Sequence, residues 1–155
     1  MIQRIQTLYL AIAAALSGFL LQGPIVRLVK SGNETYELNY RGIFAIENGI
    51  VGEAVEKSLP LTIIMIAVPL LFIITIFLFR KRKLQIRVCV FSTLLLIGSF
   101  LLMLFYIFYA WKKLDAEMIF NIKLIFPIAG AICGYLAFRN ILKDELLVKS
   151  YDRIR

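Results

Sequence analysis

The chain has 155 residues, of which 61% are apolar, and its mean hydropathy is +0.84. Soluble domains use apolar residues for roughly half of their sequence, so this composition excludes an ordinary soluble protein and indicates a membrane protein. The formal net charge of +8 falls on one side of the topology derived below, which argues against nucleic acid as a partner and favours membrane lipids.

The first predicted element is an apolar span at about residues 5–22, which follows a short segment containing Arg4. A basic start and the small residues Ala13, Ala14 and Ala15 are also typical of a secretory signal peptide, whose apolar core has about 7–15 residues. The run here is close to the ~20 residues of a full membrane span. We therefore predict a retained transmembrane helix.

Residues 23–58 form the only long polar segment, and their pattern predicts a small antiparallel β-meander. Three short runs of β-like composition lie at residues 25–29, 35–40 and 42–46. Turn residues at 31–33 and 48–49 lie between and after these runs. A short helix is predicted at residues 51–57, leading into the second span.

Three further spans are predicted at about residues 59–79, 88–109 and 119–138, and a tight turn at 112–117 joins the last two. Pro60 suits the start of the second span, whereas Pro69 lies inside it and is expected to kink the helix. The aromatic residues near the end of the third span are typical of the membrane interface.

A basic turn between the second and third spans determines the predicted orientation. It contains Arg80, Lys81, Arg82, Lys83 and Arg87. Because cytoplasmic loops carry the excess of Lys and Arg, this turn is predicted to be cytoplasmic and to lie at the lipid headgroups. Both termini are then cytoplasmic, and the inner segments hold eleven basic and three acidic residues. Residues 139–155 are predicted to form a cytoplasmic helical tail, because their apolar positions recur at helical spacing.

These elements together predict the fold class. It is an all-α membrane protein, a four-transmembrane-helix bundle with a small antiparallel β-meander in the first extracytoplasmic loop. The whole chain, residues 1–155, is expected to form a single membrane domain.

Two groups of small residues are candidate helix-packing faces. They are Ala11, Ala14 and Gly18 on the first helix, and Gly130 and Gly134 on the fourth. Small residues let two helix backbones approach closely. The pattern predicts either packing of the first helix on the fourth within one bundle, or a face that binds a partner protein or a second copy of the chain.

Lys123, close after Asn121, is a candidate intramembrane polar site because it lies about one turn inside the fourth span. An ionisable residue at that depth indicates a functional site when an acid faces it, and Glu53, Asp115 and Glu117 are the available acids. In the alternative interpretation, the Lys123 stem extends to the outer interface and leaves its ammonium in water.

Catalytic chemistry has little support in the sequence. There is no histidine, and the two cysteines, Cys89 and Cys133, lie in predicted spans without CxxC spacing. Histidine-ligated haem, the commonest zinc sites and a Ser–His pair are therefore excluded. Cys133 is interpreted as a small packing residue. No enzymatic activity, metal or cofactor is expected.

The two ends of the chain and its basic turn carry a family resemblance. The opening MIQRIQTLYL and the ending GYLAFRNILKDELLVKSYDRIR resemble a family of small four-pass inner-membrane proteins from Bacteroidota, described only as a domain of unknown function. The resemblance implies a Gram-negative inner membrane and a periplasmic meander. It implies no activity and no site residues.

Two hypotheses for the function follow. The first is a non-enzymatic accessory or scaffold subunit that docks onto other integral membrane proteins, in a complex for protein export or envelope assembly. The second is a small transporter or lipid-binding protein with a groove near Pro69 and the aromatic third helix, which contains Phe105.

Overall fold

The computed structural model describes residues 2–30, 34–47 and 50–152. The predicted turns at 31–33 and 48–49 lie outside these residues. Within the described part the fold is mainly helical, with four α-helices and one small antiparallel sheet. The predicted combination of helices with a small antiparallel sheet is therefore confirmed, although the sheet is larger than the sequence indicates.

The helices are α1 (Ile2–Phe19), α2 (Leu59–Phe77), α3 (Arg82–Leu114) and α4 (Phe126–Asp152). The strands are β1 (Val26–Val29), β2 (Thr35–Asn39), β3 (Gly42–Glu47), β4 (Ile50–Lys57) and β5 (Glu117–Phe120). Short 3₁₀ turns at Leu78–Arg80 and Ile122–Ile125 precede α3 and α4. α1 packs against α2 and α4, and α3 packs against the same two helices.

Three of the helical segments are long and apolar enough to cross a membrane: Leu59–Arg80, Arg82–Leu114 and Ile122–Val148. They indicate a membrane protein. The apolar part of α1, Ile5–Phe19, is shorter. Pro60 lies in the first turn of α2, where its missing N–H costs no hydrogen bond, and Pro69 is buried within the same helix.

Several hydroxyl groups inside the helix bundle are satisfied by their own helices. Ser17, Thr75 and Ser92 are buried, and their hydroxyl groups donate to the backbone carbonyls of Ala13, Leu71 and Val88 at 2.8, 2.6 and 2.7 Å. The outward surfaces of α2, α3 and α4 instead carry large exposed apolar side chains. This distribution suits a lipid environment, in which a polar group needs an internal hydrogen bond.

The sheet has the order β4-β3-β2-β1-β5, and every neighbouring pair is antiparallel. One face packs on the adjoining ends of the helices in an apolar cluster that includes Leu28, Leu38, Ile43, Met65 and Ile107. A second apolar cluster at the centre of the four helices includes Leu10, Phe72, Cys89, Leu96 and Ile141.

The predicted helix at residues 51–57 is wrong, because this segment forms β4. Backbone pairing with β3 overrides the local helical preference. The hairpin between β2 and β3 turns at Tyr40 and Arg41, and β3 begins at Gly42, whose φ of +140° suits only glycine. A Cβ atom at Gly42 would lie 2.0 Å from the backbone oxygen of Glu56 in β4.

The predicted start of the fourth span at residue 119 is also wrong. α3 extends to Leu114, Asp115 takes a left-handed conformation with φ 46°, and the chain enters β5. β5 pairs with β1 in a register that places Glu117 opposite Val29 and Phe120 opposite Val26. A short apolar run does not distinguish a strand from a helix start, which accounts for the error.

The basic turn is tighter than predicted. Arg80 ends the 3₁₀ turn, Lys81 is the residue before α3, and Arg82, Lys83 and Arg87 belong to the first turns of α3. α4 continues without interruption from Phe126 to Asp152, so residues 139–152 of the predicted tail form its second half.

Candidate functional site

Gly130 and Gly134 bring α4 close to α3. A Cβ atom at Gly130 would lie 2.9 Å from Leu96 Cδ2, and one at Gly134 would lie 2.5 Å from Thr93 Oγ1. The Cys89 thiol also approaches the Gly134 carbonyl at 3.6 Å. Gly134 therefore packs against α3, whereas Gly130 also lies near α1, because a Cβ atom there would be 4.0 Å from Ala13 O and from Leu16 Cβ. The sequence pattern pointed to α1 or to a partner and did not indicate α3.

The small residues of α1 divide between two environments. Ala13 is fully buried in the central cluster, Ala14 is half-buried and Ala11 is exposed. Gly18 is half-buried, and a Cβ atom there would meet no other atom within 4 Å. Ala11 and Gly18 therefore leave space at the surface of α1, whereas Gly130 and Gly134 are enclosed.

Lys123 and Asn121 connect the segment before α4 to the segment between α1 and β1. The Lys123 ammonium donates a hydrogen bond to the carbonyl of Gln22, and Asn121 Nδ2 donates to the carbonyl of Pro24 at 3.4 Å. Lys123 lies in the 3₁₀ turn before α4 rather than inside a long helix. The hydrogen-bond acceptor is a backbone carbonyl, not one of the acids that the sequence offered.

A cavity of about 450 Å³ lies at the end of the bundle where α1 and α3 begin and α2 ends. We call it the end cavity. Its polar lining consists of Gln6, Thr7, Arg82, Gln85 and Asp144. Gln6 and Gln85 are almost fully buried, whereas Arg82 and Asp144 are half-buried. A cavity of this size falls in the usual range for small-molecule sites, about 300–1,000 Å³.

Hydrogen bonds hold the two amides of the end cavity in place. Gln6 Nε2 donates to the Asp144 carboxylate, which joins the start of α1 to α4. Gln85 Nε2 donates to the carbonyl of Thr75 at 3.1 Å, which joins α3 to α2. The Thr75 hydroxyl in turn donates within its own helix.

The remaining wall of the end cavity is apolar. Ile141 and Ile76 form its inner part, whereas Phe77 and Phe79 are 72% and 53% exposed. The cavity thus combines charged and amide groups with aromatic side chains that face outward. Pro69 and Phe105, where the sequence placed a groove, do not line this cavity.

Sequence reasoning assigned Arg82 to the basic turn but missed Gln6, Gln85 and Asp144. Arg80, Lys81, Lys83 and Arg87 are exposed, so Arg82 is the member of the turn that contributes to the end cavity. Gln6 and Gln85 were recognisable as amides within two turns of a span end, but nothing local indicated that Gln6 and Asp144 meet.

The sheet carries a second set of polar contacts. Arg27 Nε and Glu37 Oε1 form an ion pair at 2.9 Å across β1 and β2, and the Glu37 side chain is only 7% exposed. Lys113 Nζ and Glu56 Oε2 pair at 2.9 Å between α3 and β4. The Thr62 hydroxyl donates to the Tyr40 carbonyl at 2.9 Å. The contacts of Lys113 and Thr62 fasten the sheet to the helix ends, whereas the Arg27–Glu37 pair lies within the sheet.

Metal coordination has no candidate in the part of the chain that the structure describes. No group of three His, Cys, Asp or Glu side chains lies close enough there to hold a metal ion. The chemistry that the end cavity offers is hydrogen bonding and charge complementarity beside an apolar wall.

Comparison with known proteins identifies a family for the chain but no curated relative. No curated protein matches it. A family model described as a domain of unknown function (DUF4293) matches residues 2–154, which is almost the whole chain.

Proposed function

We propose that the chain, which belongs to the DUF4293 family, is a non-enzymatic accessory subunit of a larger complex in a bacterial inner membrane. In this proposal α1 crosses the membrane with the three longer helices, both termini are cytoplasmic, and the sheet is periplasmic. The resemblance of the chain ends to Bacteroidota inner-membrane proteins supports the compartment. Docking onto other integral membrane proteins, in protein export or envelope assembly, is the proposed role.

Two observations support this topology. β1 precedes the α2–α3 hairpin and β5 follows it. Because these two strands pair, the segments before and after the hairpin meet at the same end of its helices. The basic residues Arg80, Lys81 and Lys83 lie at the opposite end of that hairpin. Cytoplasmic segments carry the excess of such residues.

Cysteine labelling in intact cells tests the orientation. In a background with Cys89 and Cys133 replaced by alanine, we expect Arg41→Cys, at the exposed hairpin of the sheet, to react with a membrane-impermeant maleimide. Lys81→Cys, also exposed, should react only after the inner membrane is permeabilised. The reverse pattern would overturn the proposed orientation.

The open edge of β5 is the observation that carries the docking role. β5 pairs on one side with β1 and forms an end of the sheet. Its Ile119 and Phe120 side chains are 55% and 60% exposed. An unpaired strand edge with apolar side chains is a template for an added strand.

The opposite edge of the same sheet differs. β4 carries Glu56 and Lys57, and charged residues protect a strand edge from unwanted pairing. β5 carries one acid, Glu117, followed by three apolar residues. We infer that the partner adds an extended segment to β5 and packs apolar side chains against Ile119 and Phe120.

Purification from native membranes in mild detergent, followed by mass spectrometry, tests this role. We expect a stoichiometric membrane-protein partner that is lost with Ile119→Lys, because a charge on the apolar edge opposes strand addition. The matched control is Val55→Lys, at an exposed position of β4 on the other edge. A partner retained equally by both variants would overturn the β5 interface, and a monomer without any partner would overturn the accessory role.

A further inference from the structure

We infer that the end cavity binds the headgroup of an aminophospholipid, with the primary ammonium on Asp144 and the phosphate on Arg82. Both side chains line this cavity together with Gln6 and Gln85. This inference does not depend on the docking role proposed for β5, which lies at the other end of the helices. It also places lipid binding away from Pro69, where the sequence predicted it.

The charges of the cavity match a zwitterionic headgroup. Arg82 and Asp144 have opposite charges and line one cavity, but they do not form an ion pair with each other, although the structure describes both. Gln6 donates one hydrogen bond to Asp144 and orients it. An ionised carboxylate has about four acceptor sites, so Asp144 keeps sites for an ammonium group.

The surroundings of Arg82 favour a phosphate. Arg82 is the first residue of α3, and the preceding Lys81 supplies no side-chain hydrogen bond to that helix end. A cation at a helix N-terminus is unfavourable by itself, whereas an anion there is favourable. A phosphate between the Arg82 guanidinium and the first backbone N–H groups would satisfy both, and guanidinium matches phosphate geometry.

The apolar wall of the end cavity suits the acyl chains of the phospholipid. Phe77 and Phe79 are largely exposed beside the cavity, at the end of α2, while Ile76 and Ile141 continue the apolar lining inward. Acyl chains of a phospholipid would run along the outer surface of α2 from this point. A free phosphate or a soluble amine would use the polar lining alone and leave these side chains without a ligand.

Two other lipid classes differ in the group that would meet Asp144. The quaternary ammonium of a phosphatidylcholine has no N–H to donate to the carboxylate, and phosphatidylglycerol has no cation. Anionic lipids would instead collect around the exposed Arg80, Lys81 and Lys83, with no need for Asp144. Selectivity for a primary amine is therefore the property that distinguishes the end cavity from a basic surface.

Native mass spectrometry of the detergent-solubilised chain, titrated with lipids of identical acyl chains, tests the inference. We expect phosphatidylethanolamine to bind about tenfold more tightly than phosphatidylcholine or phosphatidylglycerol, because a hydrogen bond to a charged group changes an equilibrium by about this factor. Asp144→Asn should reduce phosphatidylethanolamine to the level of phosphatidylcholine. The matched control, Asp115→Asn at the far end of α3, should keep the preference, since Asn tolerates the left-handed conformation found there.

A methylation series on the unmodified chain gives a second test that does not depend on the folding of a variant. Affinity should fall with each methyl group added to the ethanolamine nitrogen. Equal affinity across the series, a preference for phosphatidylglycerol, or a preference that survives Asp144→Asn would overturn the inference. Binding of soluble phosphoethanolamine as tight as that of the lipid would overturn the role of Phe77 and Phe79.

Discussion

Replacing Gly134 with leucine should lower the free energy of unfolding by at least about 3 kcal/mol. A Cβ atom at this position would lie 2.5 Å from Thr93 Oγ1, 3.3 Å from Thr93 Cγ2 and 3.4 Å from Thr93 Cβ. A different Thr93 rotamer would move Oγ1 away only by breaking its hydrogen bond to the Cys89 carbonyl at 2.8 Å. Inserting a single extra group into a packed contact already costs about 1–3 kcal/mol, and leucine adds four carbon atoms. Reversible unfolding in mixed micelles measures the change.

The matched control is Gly98→Leu in α3. A Cβ atom at Gly98 would meet no other atom within 4 Å, and the position faces outward. Because leucine is a better helix former than glycine by about 0.8 kcal/mol, this variant should be neutral or more stable. Equal destabilisation by the two substitutions would show that the α3–α4 contact is not the cause.

A milder pair of variants separates the clash from other effects. Gly134→Ala alone should destabilise the chain, whereas Gly134→Ala combined with Thr93→Ala should recover most of the loss. The double variant removes both Thr93 atoms that lie closest to the new methyl group. A non-additive result of at least about 1 kcal/mol is expected for residues in direct contact, and strict additivity would contradict the packing described here.

Replacing Arg27 with methionine should destabilise the sheet by about 2–3 kcal/mol. The Glu37 side chain is only 7% exposed and pairs with Arg27 Nε at 2.9 Å. Removing the cation leaves a buried carboxylate without its partner, which costs about 3–5 kcal/mol in a fully buried pair. The Arg27 side chain is 58% exposed, so we expect less than that range. Thermal unfolding in detergent measures the loss.

The double variant Arg27→Met with Glu37→Met should be more stable than Arg27→Met alone, because no unpaired charge remains. The control is Lys113→Met, which breaks the Lys113–Glu56 pair at the same distance but with side chains 49% and 31% exposed. Exposed pairs contribute about 0–1 kcal/mol, so this change should be small. A loss from Lys113→Met as large as that from Arg27→Met would contradict the importance assigned to burial of Glu37.

The helical part of the fold could be predicted from the sequence because long apolar runs mostly form membrane-spanning helices. The segments Leu59–Arg80 and Arg82–Leu114 correspond to predicted spans, and the charges from Arg80 to Lys83 mark the turn between them. The helix bounds were less accurate, since charged residues such as Arg82 and Lys113 continue a helix beyond its apolar part.

The sheet was only partly accessible. Alternating residues and turn chemistry identified β1, β2 and β3. In contrast, α2 and α3 separate β5 from β4 along the chain, and β5 joins the sheet by pairing with β1. Pairing between segments so far apart leaves no local signal in either one. The sequence therefore assigns Glu117 to a turn and Ile119 and Phe120 to the start of a span, and the apolar residues of β5 favour that wrong assignment.

The end cavity was missed for the same reason. Gln6 and Asp144 are near opposite ends of the chain, and only the packing of α1 on α4 brings the amide to the carboxylate. In contrast, the close approach at Gly130 and Gly134 was visible in the sequence as a packing motif. The contact of these glycines with α3 was not visible, although α1, which the pattern did suggest, also lies near Gly130.

The pairing of β5 with β1 also has a consequence for biosynthesis. Both α2 and α3 must be synthesised before Glu117–Phe120 can reach Val26–Val29. At a synthesis rate of roughly 5–20 residues per second, the edge of β1 stays unpaired for several seconds after it leaves the ribosome. During that interval its unpaired backbone is open to other strands, and a failure of α2 or α3 to insert would prolong it. Pairing of β5 with β1 is therefore the last step in forming the sheet. It requires that the α2–α3 hairpin before β5 has the correct orientation.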